Sequence, residues 1–159
     1  MSKNIVLEKA KLEDFYVLWK IRNNPRVKEN CFNTSPVSLE EHKNWLADKI
    51  SEENAEIYIA ERNGKKIGSV RFEDCKQLEP SVSSVSVSID SDFFGKGYGF
   101  EIIKFGTERF FREHAKNKII ARIKKDNIAS QKAFGKAGYV KVLEKENEVI
   151  YEKHRINHS

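Results

Sequence analysis

The sequence predicts one domain of mixed α/β class, in which helices pack on a sheet with strands running in both directions. Three observations carry this. Strand-period and helix-period segments alternate along the whole chain, an Asn63-Gly64 hairpin signal joins two apolar-rich segments in its middle, and no linker, repeat or low-complexity tract interrupts them. At 159 residues the chain suits a single folding unit, 1–159, large enough to bury a core.

Taken in order, Ile5, Leu7 and Lys9 share one face of an opening strand. Phe15, Leu18, Trp19 and Arg22 recur at helical spacing, Pro25 punctuates that helix, and a short helical turn follows through Cys31. Ser38-Leu-Glu-Glu41 is a capping box opening a helix whose Leu39, Trp45, Leu46 and Ile50 are candidate core positions. Strands are expected over 55–61 and 66–73, flanking the hairpin, and over 82–89, where Val alternates with Ser. A long helix follows Gly99 as far as His114, then a strand over 118–123. A helix from Asn127 is stopped by Gly138, and a final hairpin joins 139–143 to 148–153. The predicted order is β-α-α-β-β-β-α-β-α-β-β.

Composition excludes several classes. Lys+Arg total 29 against 24 Asp+Glu, a net charge of +5, which suits an anionic ligand. The cations are spread along the chain rather than clustered in a stripe, so nucleic acid is not the expected partner. No segment approaches the ~18 apolar residues of a membrane span, and the start carries no secretory signal, so a cytoplasmic protein with no membrane partner is expected. Two cysteines and four histidines without ligand spacing predict no metal and no disulfide framework.

The most informative stretch is Val85-Ser-Val-Ser-Ile-Asp-Ser-Asp-Phe-Phe-Gly-Lys-Gly-Tyr-Gly99, a strand feeding a glycine-rich turn and then a helix. Glycines at 95, 97 and 99 allow a tight turn and close approach of a ligand, and the N-terminus of the following helix favours a phosphate. The spacing is that of neither an ATP-binding P-loop nor a dinucleotide fingerprint.

Gly95-Lys-Gly-Tyr-Gly99 resembles the acyl-CoA pyrophosphate loop of the GNAT acetyltransferases, whose pattern is R/Q-x-x-G-x-G/A. Asn127-Ile-Ala-Ser-Gln-Lys-Ala-Phe-Gly-Lys-Ala-Gly-Tyr139 resembles the second signature of that family. The resemblance implies a mostly antiparallel sheet with a splayed parallel pair, flanked by helices on both faces, and acetyl-CoA as cosubstrate. It implies that Val87 and Ile89 meet the pantetheine arm through backbone groups. Gly95, Lys96, Gly97, Tyr98 and Gly99 would hold the pyrophosphate, with Asn127 and Ser130 at the cofactor's other edge. Two positions depart from the pattern. Phe94 stands where the family has Arg or Gln, and Phe134 stands where many members carry the Tyr that protonates the departing thiolate.

The run from Trp19 to Trp45 resembles that of GNAT enzymes in bacterial amino-sugar pathways, including the nucleotide-linked 4-amino-sugar N-acetyltransferases of pseudaminic acid synthesis, and Arg71-Phe72-Glu73 resembles a matching element. The resemblance implies a small-molecule amine acceptor, a sugar nucleotide above all. Arg22 and Arg71 would face the diphosphate, Asn23 and Asn24 the hydroxyls, and Phe32 and Trp45 a base or sugar ring. Trp45 at helical spacing equally suits the core. Glu73, then His42, are the candidates for accepting the amine's proton. A protein N-terminus of the ribosomal type, a small amine, and a non-catalytic CoA-binding module are the alternatives; a homodimer is left open.

Overall fold

A computed structural model describes residues 4–75 and 79–156. Seven strands form one sheet in the order β1-β2-β3-β4-β5-β7-β6. They are β1 (Ile5–Lys9), β2 (Glu56–Arg62), β3 (Lys65–Asp74), β4 (Val82–Ile89), β5 (Lys118–Lys124), β6 (Val140–Glu144) and β7 (Glu148–His154). The helices are α1 (Phe15–Asn23), α2 (Pro25–Lys28), α3 (Leu39–Ser51), α4 (Tyr98–Glu113) and α5 (Ile128–Lys136). This is the expected mixed α/β architecture, and the short turn foreseen after Pro25 is α2.

Strand periodicity divides the core into two layers. On β2, Tyr58 and Ala60 face the larger core with Val70, Phe72, Val85, Ile102, Ile103 and Phe110, while Ile57 and Ile59 face Leu18 of α1 and Leu46 of α3 on the opposite side. Helices therefore cover both faces of the sheet. Helix α4 comes close to the sheet at Gly106, where a Cβ would lie 2.7 Å from Val70 Cγ1 on β3. Phe110 of α4 stacks on Phe72 there, centroids 4.5 Å apart. The Ser38 hydroxyl accepts from the Glu41 N–H at 3.1 Å, capping α3 as the sequence indicated. Ile50 departs from expectation. It lies in the last turn of α3, beyond the Leu46 contact, and is 44% exposed.

One pairing shapes the site. Every neighbouring pair of strands is antiparallel except β4 and β5, which run parallel and pair only over Val82–Ser84 with Lys118–Ile120. Val85–Ile89 and Ala121–Lys124 continue without pairing to each other, so the sheet opens between them as the resemblance implied. Unmatched strand edges expose backbone donors and acceptors, and such an edge is satisfied by an extended partner.

Candidate active site

The open end of the splay is closed off by the turn from β4 to α4. Asp90 caps a single 3-10 turn, its carboxylate accepting from the Asp92 N–H at 3.0 Å. The chain then reverses through Gly95 and Gly97, with φ of +73° and +82°, conformations that side chains with a Cβ avoid. Gly97 is the N-cap of α4 and no side chain caps this helix, whereas Asn24, Ser38 and Asn127 cap α2, α3 and α5. A sixteen-residue helix thus presents its positive end to the opening. A Cβ on Gly99 would meet Ile89 Cδ1 at 3.1 Å, so the third glycine lets α4 start against the end of β4.

The other residues of this loop divide between core and rim. Val87 and Ile89 pack their side chains on the larger core, leaving their backbone along the unpaired edge. Tyr98 is 7% exposed and meets Phe93 edge-on. The Lys65 and Lys96 ammonium groups lie 5.2 and 5.7 Å from the Phe93 ring centroid, and Arg62 lies 5.6 Å from that of Tyr98. Across the opening, Asn127 accepts from the Ser130 N–H at 3.2 Å, so these two residues form the cap of α5. A pyrophosphate fits this cradle: positive-φ glycines, an uncapped helix start and a cationic rim meet at one place.

On the opposite face of the sheet, residues 24–37 form a strap between α1 and α3. Asn23 is bound to the Val37 backbone at both ends of its amide, at 3.1 and 3.2 Å, and the Trp19 indole donates to the Val37 carbonyl at 2.6 Å. Asn24 caps α2 through the Arg26 N–H and donates to Ser91 Oγ at 3.1 Å. Both amides hold the strap in place. Phe32 is 46% exposed beneath the Arg122 guanidinium, 4.7 Å from its ring centroid. Lys124 donates to the Glu29 carbonyl at 2.9 Å. The strap thus touches the end of the β4 turn at Ser91 and β5 at Arg122 and Lys124.

Beside it lies a polar cluster brought together from α1, α3 and β3. Arg71 pairs in register with Ser86, just beyond the vertex of the splay, and Glu73 with Ser84 at the vertex itself. Arg71 Nε is 2.6 Å from Glu73 Oε2, Lys49 Nζ is 3.2 Å from Glu73 Oε1, and the Arg71 guanidinium lies 5.0 Å from the Trp45 ring centroid. Burial pushes the Glu73 carboxyl up, but Arg71 and Lys49 outweigh it and hold the pKa below its ordinary value. His42 is 7% exposed and stacks on Trp45, centroids 5.4 Å apart. Burial, then the charges of Arg22 and Arg71, lower its pKa, so the ring is neutral at pH 7. Arg22 donates one Nη to the Asn33 carbonyl at 2.6 Å, while its other Nη and His42 Nε2 are buried without protein partners. Of the expected acceptor residues, Arg22, Trp45, Arg71, His42 and Glu73 therefore share one cluster.

Sequence reasoning did not find Lys49, Ser86, Arg26 or Arg122 in this region. Lys49 had a helical-face signal, four residues after Trp45; the others are placed by contacts distant in sequence. Phe134 is 2% exposed against Tyr139, whose hydroxyl bonds Thr107 Oγ1 at 2.8 Å. Tyr139 is itself enclosed in the larger core, where burial raises its pKa, so its hydroxyl faces Thr107 rather than the opening. Among the described residues no group of His, Cys, Asp and Glu is arranged to hold a metal, and no helix is long and apolar enough to cross a membrane.

Residues 4–140 match the family described as acetyltransferase (GNAT) domain. Similar solved structures include a domain from Methanocaldococcus jannaschii, 27% identical over 95% of this chain and 98% of that one, TM-score 0.78. The ribosomal-protein-alanine N-acetyltransferase of Brucella melitensis is 23% identical over 94% and 99% of the two chains, TM-score 0.82. An aminoglycoside acetyltransferase solved with coenzyme A is 19% identical over 95% of each, TM-score 0.77. Comparison with curated protein sequences gives no match. A splayed parallel pair, a glycine turn into an uncapped helix and a family match over most of the chain define an acetyltransferase. The chain belongs to the GNAT family, whose acyl donor is acetyl-CoA.

Proposed function

We propose that this protein is a cytoplasmic N-acetyltransferase that transfers the acetyl group of acetyl-CoA directly to the amine of a nucleotide-linked amino sugar, of the kind used in pseudaminic-acid-type synthesis. The observation that carries the acceptor class is the cluster beside the strap. Arg22 and Arg71 flank a neutral histidine, and a buried guanidinium nitrogen and an imidazole nitrogen there have no protein partner. A buried guanidinium nitrogen of this kind is matched by an acceptor oxygen of a ligand, such as a diphosphate oxygen, and a neutral imidazole nitrogen by a hydroxyl. The same charge opposes polycationic acceptors.

The unpaired backbone of Val87–Ile89 takes the pantetheine arm as an added strand, and Gly95–Gly99 the pyrophosphate. The acetyl group then lies along the unpaired edge of β4 between Ile89 and the vertex, where a backbone N–H supports the negative charge developing on the carbonyl oxygen. Glu73, whose side chain is 27% exposed, accepts the amine's proton through water. The freed nitrogen pair forms the C–N bond, the C–S bond breaks, and the second proton of that nitrogen passes through water to the departing thiolate. At a thiol pKa of about 8.5 that departure requires no phenol, consistent with Phe134. Cys31 and Cys75 take no part.

The test is a panel assay with the full chain and acetyl-CoA, offering a UDP-linked 4-amino sugar, alanine-terminated ribosomal peptides and small amines. Turnover of the sugar nucleotide is expected. Robust turnover of peptides with none of the sugar nucleotide overturns the acceptor, and CoA binding without acetylation of any amine overturns catalysis.

A further inference from the structure

Phe94 leaves the pyrophosphate turn without the Arg or Gln side chain of the pattern it resembles, and the fold places another guanidinium on that same residue. The Arg26 guanidinium carbon lies 5.1 Å from the Phe94 ring centroid. Arg26 belongs to α2, in the strap on the acceptor side. Its backbone N–H is fixed by Asn24, and Asn24 in turn donates to Ser91 in the turn that precedes Phe94. The strap is held at its other end by β5, through Lys124 on the Glu29 carbonyl and Arg122 on Phe32. Arg26 is therefore carried to the turn by a segment tethered on both sides of the opening. At the next residue, a Cβ on Gly95 would meet nothing within 4 Å, so the turn is open there. A guanidinium seated on an aromatic ring keeps its charge and its forked donors, which match phosphate oxygens.

We propose that Arg26 supplies in space the cation that position 94 lacks in sequence, and binds the pyrophosphate of the acyl-CoA donor. This rests on the acetyl-CoA reading above. It also makes the strap that borders the acceptor cluster part of the donor site, so that donor binding steadies the acceptor side.

The experiment is calorimetric titration of CoA and of pantetheine, which lacks the phosphates, into the full chain, Arg26→Ala and the double variant Arg26→Ala/Phe94→Arg, each with its melting temperature. Loss of an exposed charge-assisted contact predicts CoA affinity about tenfold lower in Arg26→Ala, with pantetheine affinity changed less than about twofold. The double variant should recover most of the CoA affinity. Unchanged CoA binding in Arg26→Ala, equal weakening for CoA and pantetheine, or no recovery in the double variant would each overturn the proposal. No CoA binding by the unaltered chain would instead overturn the donor reading on which it rests.

Discussion

Replacing Gly68 by alanine tests how the end of β4 is held in place. Gly68 on β3 pairs with Ile89, and an added Cβ would sit 2.5 Å from the Ser88 carbonyl oxygen and 3.2 Å from Ile89 Cα. Both are backbone atoms, so no rotamer change relieves the contact. An ordinary carbon–oxygen contact is about 3.3 Å, so the end of β4 must recede by roughly 0.8 Å. Overpacking of this kind costs about 1–3 kcal/mol. In a chain of this size each kcal/mol lowers Tm by about 2–4 °C. The residues that move are those proposed to carry the pantetheine arm and the oxyanion donor, and a misplacement of about 1 Å at reacting groups lowers rates on the order of 100-fold. Thermal denaturation, CoA titration and kcat/KM are measured together. Gly64→Ala is the control: φ is +80° at the hairpin tip and a Cβ there meets nothing within 4 Å. It should lose about 1 kcal/mol to positive-φ strain and keep its CoA affinity. Wild-type Tm in Gly68→Ala would refute the close packing of β3 on β4. Equal CoA affinity in the two variants would refute the placement of the donor on that strand.

Gly97→Val forces a β-branched residue toward a φ of +82° at the cap of α4, and CoA affinity should fall about tenfold or more; a folded variant that binds CoA normally would show that the loop is not the phosphate site. Burial and the neighbouring arginines lower the His42 pKa below its ordinary 6.5, so below that pH the unfolded chain binds the extra proton. Stability must fall as pH drops through 6.5 toward the lower folded-state value. Urea unfolding at pH 7.5 and 5.5 should therefore show a larger loss in wild type than in His42→Gln, and equal losses would contradict it. Glu73→Gln should lower kcat on the order of 100-fold while CoA affinity holds. A kcat within a few-fold of wild type in that variant would remove Glu73 from proton transfer.

What the sequence revealed was local. The Val/Ser alternation of β4 told that Val85, Val87 and Ile89 face the core, the glycines at 95 and 97 announced positive φ, and Ser38 marked the start of α3, because each depends on neighbours within a few residues. Asn23 and Asn24 illustrate the other case. An amide beside an arginine in a polar segment has the same signature as ligand or as tether, and only the fold brings Val37 and Ser91 to them. Ile50 continues the helical period of Trp45 and Leu46, but periodicity carries no information on where the covering layer ends. The stacking of Arg26 on Phe94 joins elements on opposite faces of the sheet, and neither residue carries a signal of the other.

The distribution of the cations sharpens the meaning of the net charge. Lys49 and Arg71 share Glu73, Lys116 is paired with Asp74, Lys66 with Asp14, and Arg122 with Glu148. Around the opening the partners are of another kind. Arg22 rests on a carbonyl, Arg26 on Phe94, Arg62 on Tyr98 and Lys65 on Phe93. A carboxylate partner cancels a cation's field at a distance; a carbonyl or an aromatic ring fixes its position and leaves the field in place. Charge is therefore left unneutralised beside the pyrophosphate turn and on Arg22, and is neutralised at the ion pairs, that of Arg71 with Glu73 among them. A duplex needs a cationic track along many phosphates, whereas short cationic spots beside a splayed sheet suit small polyanions, such as the diphosphate of CoA and that of the sugar nucleotide proposed above. DNA binding that weakens steeply with salt and is indifferent to added CoA would contradict this partition.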